Sequence, residues 1–315
     1  MNLLWTGRIE AAERAAWLLA LRKAAPECTW WSDDDGSIPR EAIRAAVVAN
    51  PAPGALAGLP NLGLVQSLWA GVEKLLADAT LPPEVPLGRM VDPVMNAAMA
   101  ETALWAVLSL HRGFFAYAAR QRERQWRQHA QRRADEVQVL VLGLGQMGAA
   151  VAARLAEQGY RVSAWHASSN ERAAPTGVSA RAGRDSLAAL LPTMQIAVNL
   201  LPLTAATRGL LDAKFFATLP GAASIVNLAR GAHVVDADLL AALDSGHLRH
   251  AVLDVFHSEP LPPEHRYWQH PRVTLLPHVA ALTDMRSAAE VVAANLRSLR
   301  TGAPLDHLVD RARGY

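Results

Sequence analysis

At 315 residues the chain is long enough for two modest domains with sizeable buried cores. Apolar residues make up 51% and charged residues 19%, which excludes a disordered chain, and a net charge of +2 argues against a dedicated nucleic-acid binder. The single cysteine, Cys28, rules out an intrachain disulfide and fits a reducing cytoplasm, and no metal site is expected.

MNLLW, at the start, predicts a strand. RIEAAERAAWLLALRKAA has apolar residues at helical spacing and predicts a helix ending near Pro26. Arg8 and Glu10 interrupt this region before any apolar core long enough for an export signal, so none is expected. CTWW predicts a second strand and DDDG the turn after it. AAVVA (45–49) and LGLVQS (62–67) predict further strands, and AGVEKLLAD a helix. Such β/α alternation implies a parallel sheet. A long helix is expected near 94–120, its apolar stretch 98–119 broken by Glu101, His111 and Arg112; that suits a helix buried against a partner surface rather than a membrane span. It runs into an arginine-rich arm, RQRERQWRQHAQRRADE (120–136), diluted by Glu123, Asp135 and Glu136 and read as a solvated or dimer-bridging segment.

From 137 the rhythm restarts. VQVLVLG, YRVSAWH, QIAVNLLP, ASIVNLAR, HAVLDVF and RVTLLPH predict strands. GQMGAAVAARLAEQG, DADLLAALDSG and a closing stretch near 284–301 predict helices. Gly143, Gly145 and Gly148 form G-x-G-x-x-G directly after a strand and at a helix start, with Gln146 and Met147 inside the motif. The first glycine permits the tight turn, the second lets backbone approach a pyrophosphate, and the third lets the helix pack on the strand. The helix N-terminus then offers N–H groups to phosphate. In such a unit the second strand should end on an acid that binds the adenosine ribose. Here that place holds His166, followed by Ser168, Ser169 and Arg172. Without the acid, nothing repels a ribose 2′-phosphate, and these side chains can donate to one. The stretch therefore reads as a site that prefers NADP(H) and still permits NAD(H), or else as an ordinary surface loop.

Three further segments place an able side chain just after a strand: Arg230 in NLARGAHVVD, Glu259 in LDVFHSEPLPP and His278 in LLPHVA. Catalytic groups in open α/β sheets gather at the carboxyl ends of strands. Reduction of a 2-keto acid needs a cation for the carboxylate and ketone, which arginine supplies as a planar fork. It also needs a proton donor for the new alkoxide, a histidine task, with a carboxylate to orient the ring. Any one of these residues alone reads more readily as a member of an ordinary structural pair; all three together, with the glycine turn upstream, do not.

These segments carry a resemblance. VLGLGQMG, NLLPLTAATRGLL, the run from LPGAASIVNLARGAHVVD to LDSGHL, AVLDVFHSEPLPPEHRYWQHPRVTLLPHVAALT and VDRARGY are similar to the D-isomer-specific 2-hydroxyacid dehydrogenase family, in its glyoxylate/hydroxypyruvate reductase A branch. The likeness runs over nearly the whole chain, most closely from residue 195 onward. It implies two Rossmann-like or flavodoxin-like α/β domains with parallel sheets and a cleft between them. A substrate-binding domain would comprise 1–101 plus 286–315, and an NAD(P)-binding domain 102–285, through which the family's homodimers join. It implies that Arg230, Glu259 and His278 are the catalytic set, that Asp254 contacts the nicotinamide carboxamide, and that Leu201, Pro202, Leu228 and Ala229 line the cofactor. Backbone N–H groups of Trp69, Ala70, Gly71 and Val72 would hold the carboxylate of a small 2-keto or 2-hydroxy acid. The chain departs from the related reductase at Ala49 and Asn50, where that protein has tryptophan and histidine, and at Trp69, where it has glycine. The indole then fills the same pocket from another loop, or the exchange is a core swap. Arginines that hold the phosphate in the relatives align with Ala167 and Ser169. The same fold also serves dinucleotide-sensing corepressor-like proteins, which is the alternative function; neither nucleic-acid nor membrane partners are expected.

Overall fold

A computed structural model describes residues 1–167 and 173–315. The chain forms two compact units, Met1–Met95 with Thr283–Tyr315, and Asn96–Leu282. Each is a parallel-sheet α/β structure.

The first unit begins with β1 (Asn2–Gly7), α1 (Ala11–Ala24), β2 (Thr29–Ser32), β3 (Ile43–Ala49), β4 (Leu64–Ser67), α2 (Glu73–Leu76) and β5 (Leu87–Gly88). Among the described residues these strands form one sheet in the order β2-β1-β3-β4-β5, all parallel. β3 is buried on both faces except at Arg44, which explains why IRAAVVA reads as an apolar run rather than an alternation. The helix expected in AGVEKLLAD is only the four residues of α2, and β5 lacked any strand signal because it is two residues long.

α3 (Pro93–Arg112) leads into the second unit and is followed by α4 (Phe114–Arg122). The single helix expected over 94–120 is therefore broken. Gly113 adopts φ +73°, the left-handed region that glycine enters without steric cost. A Cβ there would also lie 2.3 Å from Nε2 of His129, whose ring stacks on Tyr117 at 4.5 Å. The arginine-rich arm thus folds back on the helices: Arg112 Nε donates to Gln131 Oε1 (2.6 Å), and Nε2 of His111 lies 2.9 Å from the Arg132 carbonyl. By length and composition α3 could cross a membrane. Its Ala100, Ala103, Ala106, Val107 and Leu110 are instead buried in the core of the second unit.

The second unit continues through β6 (Gln138–Leu142), α5 (Gln146–Glu157), β7 (Arg161–His166), β8 (Val178–Ala182), α6 (Arg184–Leu190), β9 (Ile196–Asn199), α7 (Ala213–Thr218), β10 (Ala223–Asn227), α8 (Asp236–Asp244), β11 (Leu248–Leu253) and β12 (Val273–Leu275). The described strands lie in the order β12-β11-β10-β9-β6-β7-β8, all parallel. Side chains on β6 alternate between two cores. Val139 and Val141 face the α3 and α5 side, while Leu140 and Leu142 join Phe215, Phe216 and Leu239 on the other. The chain leaves β6 toward β7 and returns after β8 to the opposite side, at β9. That reversal makes the crevice at the carboxyl ends of β6 and β9 a topological switch point.

α9 (Met285–Thr301) returns the chain to the first unit, where it packs on α1. Asp284 caps it, Oδ1 accepting the Arg286 N–H at 2.9 Å, and Gly302 closes it at φ +72°. Buried Asn295 fixes its register by donating to Gln66 Oε1 (2.7 Å) and accepting the Asp306 N–H (2.8 Å).

Candidate active site

The glycine turn lies at the switch point. Gly143 ends β6 at φ +106°, and a Cβ there would lie 2.6 Å from the carbonyl oxygen of Leu200 after β9. A Cβ on Gly148 would lie 1.9 Å from the carbonyl oxygen of Gly143, so the first turn of α5 rests directly on the turn before it. Gly145 differs. Its backbone is extended, and a Cβ there meets no atom of the chain within 4 Å. Gly145 and Gln146 are exposed, Met147 is half-buried, and α5 has no side-chain cap. Amides of an uncapped helix start, next to a glycine open to the surface, fit a dinucleotide pyrophosphate.

The loops beside this turn hold the other cofactor candidates. Leu201 and Pro202 follow β9; Leu228 and Ala229 follow β10, and Leu201, Leu228 and Ala229 are buried. His166 closes β7 with only 4% of its surface exposed, so the donor surface expected of it is small. Ser168 and Ser169, with Arg172, lie outside the described residues.

On the same edge, Glu259 and His278 come together: Glu259 Oε2 lies 2.7 Å from His278 Nδ1. The other carboxylate oxygen, Oε1, accepts the Phe256 N–H at 2.9 Å, which ties Glu259 to the segment leaving β11. His278 sits at φ +56°, a left-handed conformation unusual for a side-chain-bearing residue. Asp254 holds it there. Its carbonyl accepts the His278 N–H (2.9 Å), and its carboxylate accepts the N–H groups of Val279 (2.7 Å) and Ala280 (3.1 Å). Burial pushes the Asp254 carboxyl above its ordinary range, with those two amides opposing the shift. Arg230 lies three residues beyond β10, between the ends of β9 and β11, and its Nη1 donates to the Ala229 carbonyl at 2.7 Å. Gly231 beside it is obligatory, because a Cβ there would fall 2.0 Å from the carbonyl carbon of Phe256.

In the first unit, Trp69, Ala70, Gly71 and Val72 follow β4 at the carboxyl edge of its sheet. The Trp69 N–H donates to Ser67 Oγ (3.0 Å), its carbonyl accepts the Met90 N–H (3.0 Å), and its indole meets Trp17 edge-on at 6.1 Å. Asn199, Asn227, Thr207 and His233 were not singled out from sequence, and all are buried beside the loops that hold Leu201, Pro202, Leu228 and Ala229. The available signal was an asparagine ending each of two largely apolar strands, IAVN and ASIVN, which marks Asn199 and Asn227. Among the described residues no group of three or more His, Cys, Asp or Glu side chains is arranged to hold a metal ion.

A doubly wound parallel sheet with a glycine turn at its switch point defines a dinucleotide-binding domain. Residues 104–280 match the family model of the D-isomer specific 2-hydroxyacid dehydrogenase, NAD binding domain. A Xanthobacter autotrophicus Py2 D-isomer specific 2-hydroxyacid dehydrogenase, crystallised with NADPH and MES, is 39% identical over 100% of this chain and 99% of its own, with a TM-score of 0.93. The NADPH-dependent glyoxylate/hydroxypyruvate reductase of Sinorhizobium meliloti, in complex with NADP and sulfate, is 36% identical over 100% and 99%, with a TM-score of 0.91. A Klebsiella pneumoniae 342 member of the same dehydrogenase family is 35% identical over 99% and 98%, with a TM-score of 0.88. The chain belongs to the D-isomer specific 2-hydroxyacid dehydrogenase family and is an oxidoreductase of that kind.

Proposed function

We propose that this protein reduces a small 2-keto acid of the glyoxylate or hydroxypyruvate kind to the D-2-hydroxy acid, preferring NADPH and accepting NADH. The observation that carries the reading is the 2.7 Å pairing of Glu259 with His278, on the strand edge whose switch point holds the glycine turn and from which Arg230 also emerges. Bound NADPH supplies the hydride to the carbonyl carbon. Arg230 holds the substrate carboxylate and polarises the ketone. His278 gives a proton to the carbonyl oxygen as it becomes an alkoxide. Its Nδ1 is engaged by Glu259, so Nε2 is the atom assigned to the substrate. Glu259 acts through His278 and is a positioning residue. Trp69 to Val72, in the first unit, are assigned to substrate binding, and the second unit is the cofactor domain.

Two points support NADPH. β7 ends in His166 rather than in a carboxylate that would repel a 2′-phosphate, and the Xanthobacter and Sinorhizobium proteins were crystallised with NADPH and NADP. We assign the protein to the cytoplasm as a homodimer joined through the cofactor domain. Trp105, Phe114 and Trp126 expose 41%, 51% and 97% of their surfaces on α3, α4 and the arm, an apolar set that a second copy would cover. Rates with glyoxylate, hydroxypyruvate and pyruvate, each with NADPH and NADH, test the reaction. A large preference for NADH would overturn the cofactor assignment. Dinucleotide binding without turnover of any keto acid would favour the corepressor-like reading.

A further inference from the structure

Asn199 and Asn227 end neighbouring parallel strands and are partners in the ladder between β9 and β10. Both side chains are buried where apolar residues would pack with less desolvation cost. Their orientations are set by backbone: Asn199 Oδ1 accepts the Leu201 N–H, and Asn227 Oδ1 accepts the Ala229 N–H, each at 3.2 Å. With the oxygens so placed, Asn199 Nδ2 donates to Asn227 Oδ1 (2.9 Å) and to Nδ1 of His233 (3.0 Å). An Nδ1 that accepts leaves the ring proton on Nε2, which faces the Pro202 carbonyl at 3.3 Å. The same carbonyl accepts from Thr207 Oγ1 at 2.7 Å. Asn227 Nδ2 completes the set by donating to the Arg230 carbonyl at 3.0 Å.

The network thus touches backbone at Leu201, Pro202, Ala229 and Arg230. It spans two loops from different strands; Asn199 holds the first loop at the Leu201 N–H, and the ring of His233 adds a second tie from the asparagine pair to the Pro202 carbonyl. Only the neutral Nε2–H ring fits, since a second ring proton would set N–H against N–H at Asn199.

We propose that His233 is a positioning residue for dinucleotide binding: its neutral ring, through Asn199 and Asn227, locks the Leu201–Pro202 and Leu228–Arg230 loops in one mutual arrangement. This rests on the reading of those loops as cofactor-lining. His233 touches no reacting atom; it acts by preorganising backbone that would otherwise be ordered at a cost on binding.

Three variants test it. His233→Phe removes both ring hydrogen bonds. His233→Asn keeps an acceptor for Asn199 and loses the bond to Pro202. Thr207→Val removes the other donor to Pro202 and leaves His233 in place. Affinity for NADPH is read by nicotinamide fluorescence titration, with urea denaturation and steady-state kinetics alongside. His233→Phe is expected to weaken NADPH binding about tenfold and to raise its KM in parallel, while kcat at saturation falls less than about threefold. His233→Asn should recover part of the loss, and Thr207→Val should weaken binding in the same direction. Lowered stability with NADPH affinity unchanged in all three variants overturns the assignment. Full recovery of affinity in His233→Asn also overturns it, since that variant lacks the bond to Pro202 on which the lock between the loops depends. If His233→Phe does not fold, unchanged affinity in the other two is sufficient to overturn it. A wild-type protein that binds neither NADPH nor NADH overturns the cofactor reading and this assignment with it.

Discussion

Replacing Gly145 with alanine separates the two roles a glycine can play in this turn. The backbone at Gly145, φ −87° and ψ −167°, lies where alanine is at ease, and the new methyl would meet no atom of the chain within 4 Å. Stability of the cofactor-free protein should therefore hold, or rise by about 0.5 kcal/mol because the unfolded chain is stiffened. Gly148→Ala is the contrast, since its methyl would lie 1.9 Å from the Gly143 carbonyl oxygen, and relieving that overlap should cost about 2 kcal/mol or more. For binding, the expectation at Gly145 reverses. The second glycine of this motif is where backbone comes nearest the pyrophosphate. A methyl there that costs one charge-assisted hydrogen bond, worth about 1.5–3 kcal/mol, should weaken NADPH binding about ten- to hundredfold. Urea denaturation of each cofactor-free variant, paired with NADPH fluorescence titration, reads both quantities. If Gly145→Ala loses as much stability as Gly148→Ala, the open space at Gly145 is refuted; if it binds NADPH as tightly as wild type, the pyrophosphate does not lie against Gly145.

The other predictions concern the proton donor, its support and the response to acid. His278→Ala should lower kcat for keto-acid reduction about 10²- to 10⁴-fold while NADPH affinity stays near wild type; undiminished turnover would remove His278 from the reaction. Asp254→Asn turns an amide NH₂ toward the N–H of Val279 or Ala280, so the urea midpoint should drop by the equivalent of about 2 kcal/mol and turnover should fall with it. An unchanged midpoint contradicts the role given to Asp254. His250 is buried, stacked on Phe115 at 4.6 Å and 2.8 Å from Thr274 Oγ1, and burial pushes its ring down to about 4. Because the folded value lies below the unfolded one, the unfolded chain binds more protons between them, and stability is lost as pH falls from about 6.5 toward 4. The full effect is about 3 kcal/mol at most. His250→Phe should flatten this acid limb in urea midpoints measured from pH 7 to pH 4.5, and an equally steep limb would show that other groups cause it.

Much of the second unit was legible because its signals are local. Val139–Leu142 alternate between two cores, yet all four are apolar, and a short apolar run bounded by a glycine turn reads as a buried strand whatever it pairs with. Gly143 and Gly148 were legible for a similar reason, since a left-handed turn and a helix packed on its own strand are demands made within six residues. β8, α6 and α7 gave weaker signals; VSARA is only partly buried at the sheet edge, so its side chains carry little apolar pattern. The break in the long helix was missed for another reason. An isolated glycine in an apolar helical stretch is tolerated, and only the packing of His129 from the returning arm makes Gly113 a terminus.

The amino-acid order alone determined which residues end strands, and hence which side chains could serve one strand edge: Arg230, Glu259 and His278 each stand just past an apolar run. Only the tertiary structure decided that β9 returns beside β6, that a carboxylate and an imidazole 19 positions apart meet at 2.7 Å, and that Asp254 spends its carboxylate on the backbone after His278. The physical reason is that burial and turn preference act over a few residues, whereas strand order and side-chain convergence depend on loop closures whose free energy is settled only when the whole sheet is paired.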